Sequence, residues 1–303
     1  MPELPEVTTI VRELNRLVRG KTIGAIETNT AKLVKPLTVA QFQRAVTGMT
    51  FLAFRRRAKF ILAYLGKRQP LSSRNAQWVL LWHMGMTGHP LYRDPAAERR
   101  SQALQKSMAD PMNQHVRFTF HFTDGTRLEY ADIRKFGKIE PVRRADLPEH
   151  PQLRQFGPDA LDLAARPGEF CEKLAAQQRS LKVALMDQRV VAGIGNIYAD
   201  EILWAARLHP LLKSHRLRRE QCITLSRAVR AVLERAIRAR GTSIDDFRRV
   251  RGEKGHYGDL RKAYQRTGLP CPRCGTVIRR LVVGGRGTHL CPRCQRSPVA
   301  RRR

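Results

Sequence analysis

Four cysteines near the end of the chain constrain its fold more than any other feature. They stand as Cys271-Pro-Arg-Cys274 and Cys291-Pro-Arg-Cys294, with 16 residues between the two pairs. Two CxxC knuckles at this separation fit one tetrahedral four-thiolate zinc site of the closed, structural kind. Disulfides are the alternative for the same residues, and a reducing compartment disfavours them. Between the knuckles runs Val277-Ile278-Arg279-Arg280-Leu281-Val282-Val283, followed by Gly284-Gly285-Arg286-Gly287-Thr288. That reads as a strand, a glycine-rich turn carrying Arg286, and a return strand. So short a hairpin has too little core to hold itself in water, so a single structural zinc ion would supply its folding free energy. The other two cysteines, Cys171 and Cys222, lie singly in helix-like segments and read as small buried hydrophobes.

Charge narrows the partner. The 303 residues hold 57 Lys and Arg against 26 Asp and Glu, a formal net charge of +31. From Arg261 to Arg303 there are 12 basic residues and no acidic ones. Such an excess is the electrostatic footprint of a polyanion partner, foremost nucleic acid. An anionic membrane is the competing surface. The chain has no long apolar run, lipidation signal or secretory leader, so the expectation is a soluble intracellular protein without a membrane partner.

The length predicts two domains. Val7, Ile10, Val11, Leu14, Leu17 and Val18 recur at helical spacing over residues 5–19, and Gly20 stops the run. Short strands follow. Two lie within Phe51–Leu65, with Arg55-Arg56-Arg57-Ala58-Lys59 between or across them, and another spans Gln77–Trp82. His115–Phe122 alternates, with Val116, Phe118, Phe120 and Phe122 on one face. Thr123-Asp124-Gly125-Thr126 then turns the chain into Arg127–Tyr130. Many short strands suggest a β-sandwich. The polar stretch Pro90–Asn113 reads as a long mobile loop. Residues 143–168, rich in Pro, Asp and Arg, read as a linker. Beyond residue 169 the pattern is helical, and Ile223, Leu225, Val229, Val232, Leu233 and Ile237 line one face. Before that helix, Gly193-Ile194-Gly195-Asn196 marks a turn. Asn196 is placed to cap the next helix, beside backbone N–H groups that suit a phosphate.

The first residues, Met1-Pro2-Glu3-Leu4-Pro5-Glu6, carry a chemical possibility. Met before a small residue such as Pro is normally trimmed, which would leave Pro2 with a free secondary amine. A terminal α-amine has a pKa of about 7.7–8, against about 10.4 for Lys, so far more of it is unprotonated near neutrality. Such an amine can attack a sugar carbon and form an iminium. Glu3 and Glu6 stand beside it as possible proton donors or acceptors. The plain alternative is a helix start, with Pro5 in the first turn and Glu6 near the positive end of the dipole.

Six motifs in one order resolve that choice: Met1–Val7, Arg56-Arg57-Ala58-Lys59-Phe60, His83-Met84-Gly85-Met86-Thr87-Gly88, Asp132-Ile133-Arg134-Lys135-Phe136-Gly137, Ala192–Glu201 and the CxxC hairpin. Over nearly its whole length the chain resembles the formamidopyrimidine-DNA glycosylases, bacterial repair enzymes for oxidised purines. The resemblance implies an α+β protein with four parts. These are an N-terminal helix and two-layer antiparallel β-sandwich (1–142), a linker (143–168), a helix-two-turns-helix domain (169–260), and a zinc finger with basic tail (261–303). It implies duplex DNA with an oxidised base as partner, bound between the halves, a monomeric state, and a cytoplasmic, nucleoid-associated location.

By the same resemblance Pro2 would be the Schiff-base nucleophile and Glu3 the proton donor that helps open the sugar. Lys59 would serve β-elimination, and Arg286 phosphate contact and δ-elimination. Met86, Arg134 and Phe136 would fill the gap left by an everted base, Arg134 touching DNA as well. Lys182 and Asn196 would hold phosphates. Asn113 stands at a DNA-contacting position where family members often carry His. Asp245 puts an acidic group in the lesion-capping region, about residues 242–257. The implied activity is a bifunctional glycosylase and AP lyase for 8-oxoguanine and formamidopyrimidines. Two alternatives stand beside it: an oxidised-pyrimidine glycosylase like endonuclease VIII, and a non-catalytic zinc-ribbon DNA-binding protein.

Overall fold

A computed structural model describes residues 1–67, 70–244 and 247–297. Asp245 and the end of the basic tail lie outside the described residues. The chain divides into two compact units: Met1–Arg154 with Ala239–Gly258, and Gln155–Arg238 with Asp259–Arg303.

Unit 1 opens with helix α1 (Leu4–Leu17). Then come β1 (Ile23–Thr28), α2 (Val39–Val46), β2 (Thr50–Arg57), β3 (Phe60–Gly66), β4 (Trp78–His83) and β5 (His89–Arg93). Helices α3 (Pro95–Arg100) and α4 (Gln102–Met108) precede β6 (Val116–Phe122), β7 (Arg127–Ala131), β8 (Lys138–Arg143) and α5 (Pro151–Arg154). The strands form two four-stranded antiparallel sheets, ordered β1-β6-β7-β5 and β2-β3-β4-β8. The alternation in β6 buries Phe118, Phe120 and Phe122, while Val116 is only half-buried beside a register shift. Phe120 meets Phe51 of the other sheet edge-on at 5.4 Å, and Trp82 meets Tyr130 at 5.5 Å. These rings knit the two layers, because buried aromatics combine large apolar area with favourable edge-to-face contact. Val7, Ile10, Val11 and Leu14 join the same core from α1.

Three expectations need correcting. Pro90–Asn113 is not a loop but β5, α3, α4 and a 3-10 turn. Its polar residues are helix caps: Asp94 accepts from the N–H groups of Ala96 and Ala97, and Ser101 from Leu104. Capping uses the polar residue types that otherwise signal a loop. Residues 143–168 likewise hold α5, α6 (Ala160–Ala164) and the start of α7 (Pro167–Ala175). Pro148, Pro151 and Pro167 sit at helix starts, where a missing N–H costs nothing. Third, the segment 239–258 folds with the sandwich and not with the helical unit. Glu13 pairs with Arg249 and accepts from the Val250 N–H, and Asp110 pairs with Arg248.

Unit 2 continues with α8 (Leu181–Met186), α9 (Asn196–Ala205) and α10 (Arg219–Arg238). Helix α11 (Tyr257–Leu260) crosses the division after Gly258, and the hairpin of β9 (Arg279–Val283) and β10 (Arg286–Leu290) follows in unit 2. Leu225, Val229, Val232, Leu233 and Ile237 are the buried stripe of α10, while Ile223 is half-buried. Cys171 of α7 and Cys222 of α10 are not separate hydrophobes: they form a disulfide with Cα atoms 5.7 Å apart. Helical periodicity shows which face of each helix is buried but not which helices meet, so it does not reveal the pairing.

Candidate active site and nucleic-acid interface

Pro2 is buried at the entry to α1, and Glu3, only 3% exposed, is the helix N-cap. Glu6 is engaged by backbone donors. One carboxylate oxygen accepts from the Glu3 N–H at 2.9 Å, and the other from the Thr242 N–H at 2.7 Å. It ties the first turn of α1 to the start of segment 242–257. Lys59 occupies the turn between β2 and β3, which Ala58 makes possible by adopting a φ of 52°. It is buried and not a solvated surface charge.

His83 connects these groups. Burial first, and then the cations of Lys59, Lys138 and the chain's amino terminus, push its pKa down to about 4. Its Nδ1 accepts from the Gly85 N–H at 3.2 Å, and its ring lies 4.7 Å from that of Phe60. His83 is therefore a neutral imidazole near pH 7, held where the terminal amine and Lys59 both act on it. The motif around His83 is plain in the sequence, but nothing there assigns the residue a part. Its signal is adjacency in the β3–β4 register, where Phe60 pairs with His83.

Met86, Arg134 and Phe136 come together on two loops. Met86 is 42% exposed and Phe136 is 56% exposed, so neither is a core residue. Arg134 approaches the Met86 sulfur at 3.0 Å and lies 4.9 Å from the Phe136 ring centre. Asp132, buried, organises the pair of loops. One oxygen accepts from the Thr87 hydroxyl at 2.5 Å and the Arg134 N–H at 3.2 Å, the other from the Gly137 N–H at 2.9 Å and the Tyr130 hydroxyl at 3.3 Å. A Cβ on Gly85 would stand 2.8 Å from the Phe136 carbonyl carbon, so only glycine lets the loops pack this closely. Between Arg134 and Phe136, Lys135 takes a φ of 56°.

In unit 2 the four cysteine sulfurs lie within 4.8 Å of one another. Cys274 is 3.5 Å from both Cys291 and Cys294, and Cys271 is 4.0 Å from Cys294. Four Zn–S bonds of about 2.3 Å in a tetrahedron put sulfurs about 3.8 Å apart, so the residues fit zinc. The hairpin turns through Gly284 and Gly285, with φ of 57° and 72°, the signature of a two-residue primed turn. Arg286 is thus the first residue of the return strand and not part of the turn. It opens onto a cavity of about 480 Å³ that Arg179 and Arg189 also line. Asp187 pairs with both, at 2.8 and 3.0 Å, and the charge-assisted bonds, chiefly from Arg189, hold its carboxyl well below the usual range. Sequence reasoning misses these two arginines because nothing local distinguishes them from the general basic excess.

Lys182, Asn196 and Asn113 are placed differently from expectation. Lys182 is 0% exposed and bonds Asp200 at 2.6 Å, the Thr288 hydroxyl at 2.8 Å and the Gly287 carbonyl at 3.2 Å. A direct phosphate contact is closed to it in this structure. Asp200 also accepts from the His289 N–H and Nδ1, at 2.8 and 2.9 Å. Asn196 is the first residue of α9 and not its cap, which is Gly195, and its amide bonds the Gly287 carbonyl at 3.2 Å. Both residues brace the strand that presents Arg286. Asn113 is also 0% exposed, bonded to His89 at 2.9 Å and to the Ser107 carbonyl at 2.8 Å, so it has no surface to offer DNA. Ser107 of α4, His89 and the backbone at Gly252 enclose it.

Comparison with known proteins closes the question of kinship. Residues 1–139 match the family described as formamidopyrimidine-DNA glycosylase N-terminal domain, and residues 156–248 its H2TH domain. Residues 268–296 match the zinc finger found in FPG and IleRS. The chain belongs to the formamidopyrimidine-DNA glycosylase family. It is 39% identical to that enzyme of Synechocystis sp., over 97% of this chain and 98% of the relative. Identity to the Bacillus licheniformis enzyme is 36%, over 98% and 100%. A Lactococcus lactis Fpg in complex with abasic-site DNA superposes with a TM-score of 0.82 at 30% identity, covering 97% of this chain and 100% of that one. A mutant of the same enzyme with Fapy-dG-containing DNA also gives 0.82. The chain is thus a DNA glycosylase of base excision repair with one structural zinc site, and no described helix is long and apolar enough to cross a membrane.

Proposed function

We propose that the enzyme excises oxidised purines such as 8-oxoguanine and formamidopyrimidines from duplex DNA and then nicks the strand. With Met1 removed, the secondary amine of Pro2 attacks C1′ of the everted nucleotide. Glu3 delivers a proton as the sugar opens, the base leaves, and an iminium joins Pro2 to the sugar. Loss of a C2′ proton, assisted by Lys59, breaks the 3′ C–O bond, and Arg286 assists the second elimination on the 5′ side. Met86 and Phe136 fill the space the base leaves, and Arg134 pairs with the orphaned edge opposite.

The observation that carries this reading is that Glu3, the N-cap of α1 next to Pro2, and Lys59, in the β2–β3 turn, are both buried. Burial disfavours the charged form of an amine, and an amine nucleophile and an amine for elimination must both be uncharged to act. Borohydride should trap a covalent enzyme–DNA adduct in protein whose mature terminus is Pro2, and protein retaining Met1 should give none. Equal trapping by both forms would assign the nucleophile to a lysine. Cleavage rates on duplexes carrying oxidised purines or oxidised pyrimidines then decide the lesion class. Faster cleavage of pyrimidine lesions would overturn the purine assignment.

A further inference from the structure

On unit 2, away from Arg286 along the chain, a cavity of about 800 Å³ lies between the zinc knuckles and the α9–α10 connection. Arg207, Arg218, Arg273, Arg293 and Arg296 line it, none of its lining residues is an Asp or Glu, and His209, Gln221 and the knuckle cysteines Cys274 and Cys294 complete the polar wall. Arg273 is fixed in place: its guanidinium stacks 4.0 Å from the Trp204 ring centre and donates to the Trp204 carbonyl at 3.1 Å. The Gln295 amide donates to the Leu208 carbonyl at 2.9 Å and its carbonyl accepts from the Cys291 N–H, which ties the knuckle to the opposite wall. Helix α10 begins at Arg219, next to Arg218, so the positive end of a 20-residue helix opens at the same place.

The zinc site accounts for only part of this charge. A zinc ion with four thiolates carries about two net negative charges, against five guanidiniums around the cavity. His209 adds no charge, since burial lowers its pKa and its Nδ1 accepts from the Leu211 N–H at 3.2 Å. The cavity has the size of small-molecule sites, about 300–1,000 Å³. Guanidiniums on several sides of a concave site suit bidentate contacts to phosphate oxygens.

We propose that this cavity is a second, non-catalytic anion site that takes a compact cluster of phosphate groups. The cluster can come from a free polyphosphate or from the terminal and first internucleotide phosphates of a 5′-phosphorylated nucleic-acid strand, and the chemistry of recognition is the same. The site is independent of the lesion-processing assignment above, since none of its residues serves there.

The test is calorimetric titration of the zinc-loaded full chain with inorganic triphosphate. Saturable one-site binding is expected, and Arg207→Glu with Arg218→Glu should weaken it at least about tenfold, as removal of two charge-assisted hydrogen-bonding groups requires. Arg99→Glu with Arg100→Glu, the same charge change on exposed α3, should change it less than about twofold. Zinc content and nicking of abasic-site DNA should be unchanged in both. Should the first pair fail to fold, Arg296→Glu, exposed and outside the knuckle ligands, must weaken binding in the same direction. A 5′-phosphorylated against a 5′-hydroxyl dinucleotide separates the sources. Preference for triphosphate assigns free polyphosphate and preference for the phosphorylated dinucleotide a strand end, either one supporting the site. No saturable binding, or equal weakening by both charge-matched pairs, would overturn it, because the attraction would then belong to the net charge alone.

Discussion

The Phe136 loop of unit 1 and the Arg286 hairpin of unit 2 each hold one exposed side chain out from a folded body, and they are held by different means. Asp132 anchors the Phe136 loop with four hydrogen bonds from within a packed sandwich, beside Tyr130 and Met84 of its core. The Arg286 hairpin has only a small core: Val283 and Leu290 are buried in its strands, and Cys271, Ile278 and Cys291 cluster at its base with Trp204 against them. Its order rests on the four thiolates and on the buried Lys182–Asp200–His289 network. A loop on a sandwich inherits rigidity from the summed dispersion attraction of a close-packed interior, whereas a two-stranded ribbon must import it from a metal or from buried charges.

The largest effect that this contrast predicts is on the metal. Removing zinc by chelation, or by Cys271→Ser, should melt the hairpin and leave the sandwich folded, because structural zinc is worth about 10–16 kcal/mol to small sites of this kind. Backbone hydrogen exchange should rise over 268–296 and stay unchanged in β1–β8. DNA affinity should drop with it, and its dependence on salt should flatten by about 0.9 log units per decade for each phosphate that Arg286 no longer neutralises. If exchange rises equally in both units, the two are not separately stabilised and the contrast fails.

Next in size is the charge network behind Arg286. Lys182→Met leaves Asp200 buried without its cation, and breaking a buried pair this way costs about 3–5 kcal/mol. The loss should appear as thermal destabilisation of unit 2 and as weaker nicking, with zinc still bound. Lys182→Met with Asp200→Leu should recover much of the stability without the nicking, since an apolar replacement of the pair satisfies burial but does not hold Gly287 and Thr288. Full recovery of nicking by the double variant would remove the brace role.

A smaller effect belongs to unit 1 and to pH. In the unfolded chain His83 titrates near 6.5, and in the folded protein near 4. The unfolded state therefore binds more protons between those values, and folding stability must fall as pH drops from about 6.5 toward 4. One pKa unit is about 1.4 kcal/mol, so the ceiling is roughly 3 kcal/mol. His89 is lowered by burial too and adds loss of the same sign. Denaturant titrations at pH 6.5 and 4.5 should show the decline, and His83→Gln should make it shallower. An unchanged slope in that variant would mean that His83 is not shielded from protons as described.

How much of this is legible in the sequence differs between the units for the same physical reason. Period-two alternation in Val116–Phe122 and the Thr123–Thr126 turn are local, and the sandwich follows from them. The zinc knuckles are legible because CxxC spacing is itself a geometric constraint. Tertiary partners are not. Nothing local says that Glu6 is consumed by the Thr242 N–H, that Lys182 faces Asp200, or that Cys171 meets Cys222. Polar residues mislead most. In Pro90–Asn113 the same Asp and Ser that signal a loop are caps, and Asn113 is interior, bonded to Ser107 of α4 and to His89.

The smallest expected change in stability tests unit 1 most sharply. Phe136 is 56% exposed, so Phe136→Ala should alter the unfolding free energy by no more than about 0.5 kcal/mol, as for other surface positions. Its effect should fall on one reaction step. Everting a paired base costs on the order of a few kcal/mol, and an apolar side chain that occupies the gap offsets part of that cost. A preformed abasic site has no base to displace, so the wedge has nothing to do there. Phe136→Ala should therefore slow excision of a base-paired oxidised purine by about tenfold or more, while nicking at an abasic site stays near the wild-type rate. Arg286→Ala should slow both, because a phosphate contact serves each step alike. Single-turnover rates on the two substrates measure this directly. Equal slowing of both by Phe136→Ala would mean that the exposed ring acts in general DNA affinity and not in filling the vacated space.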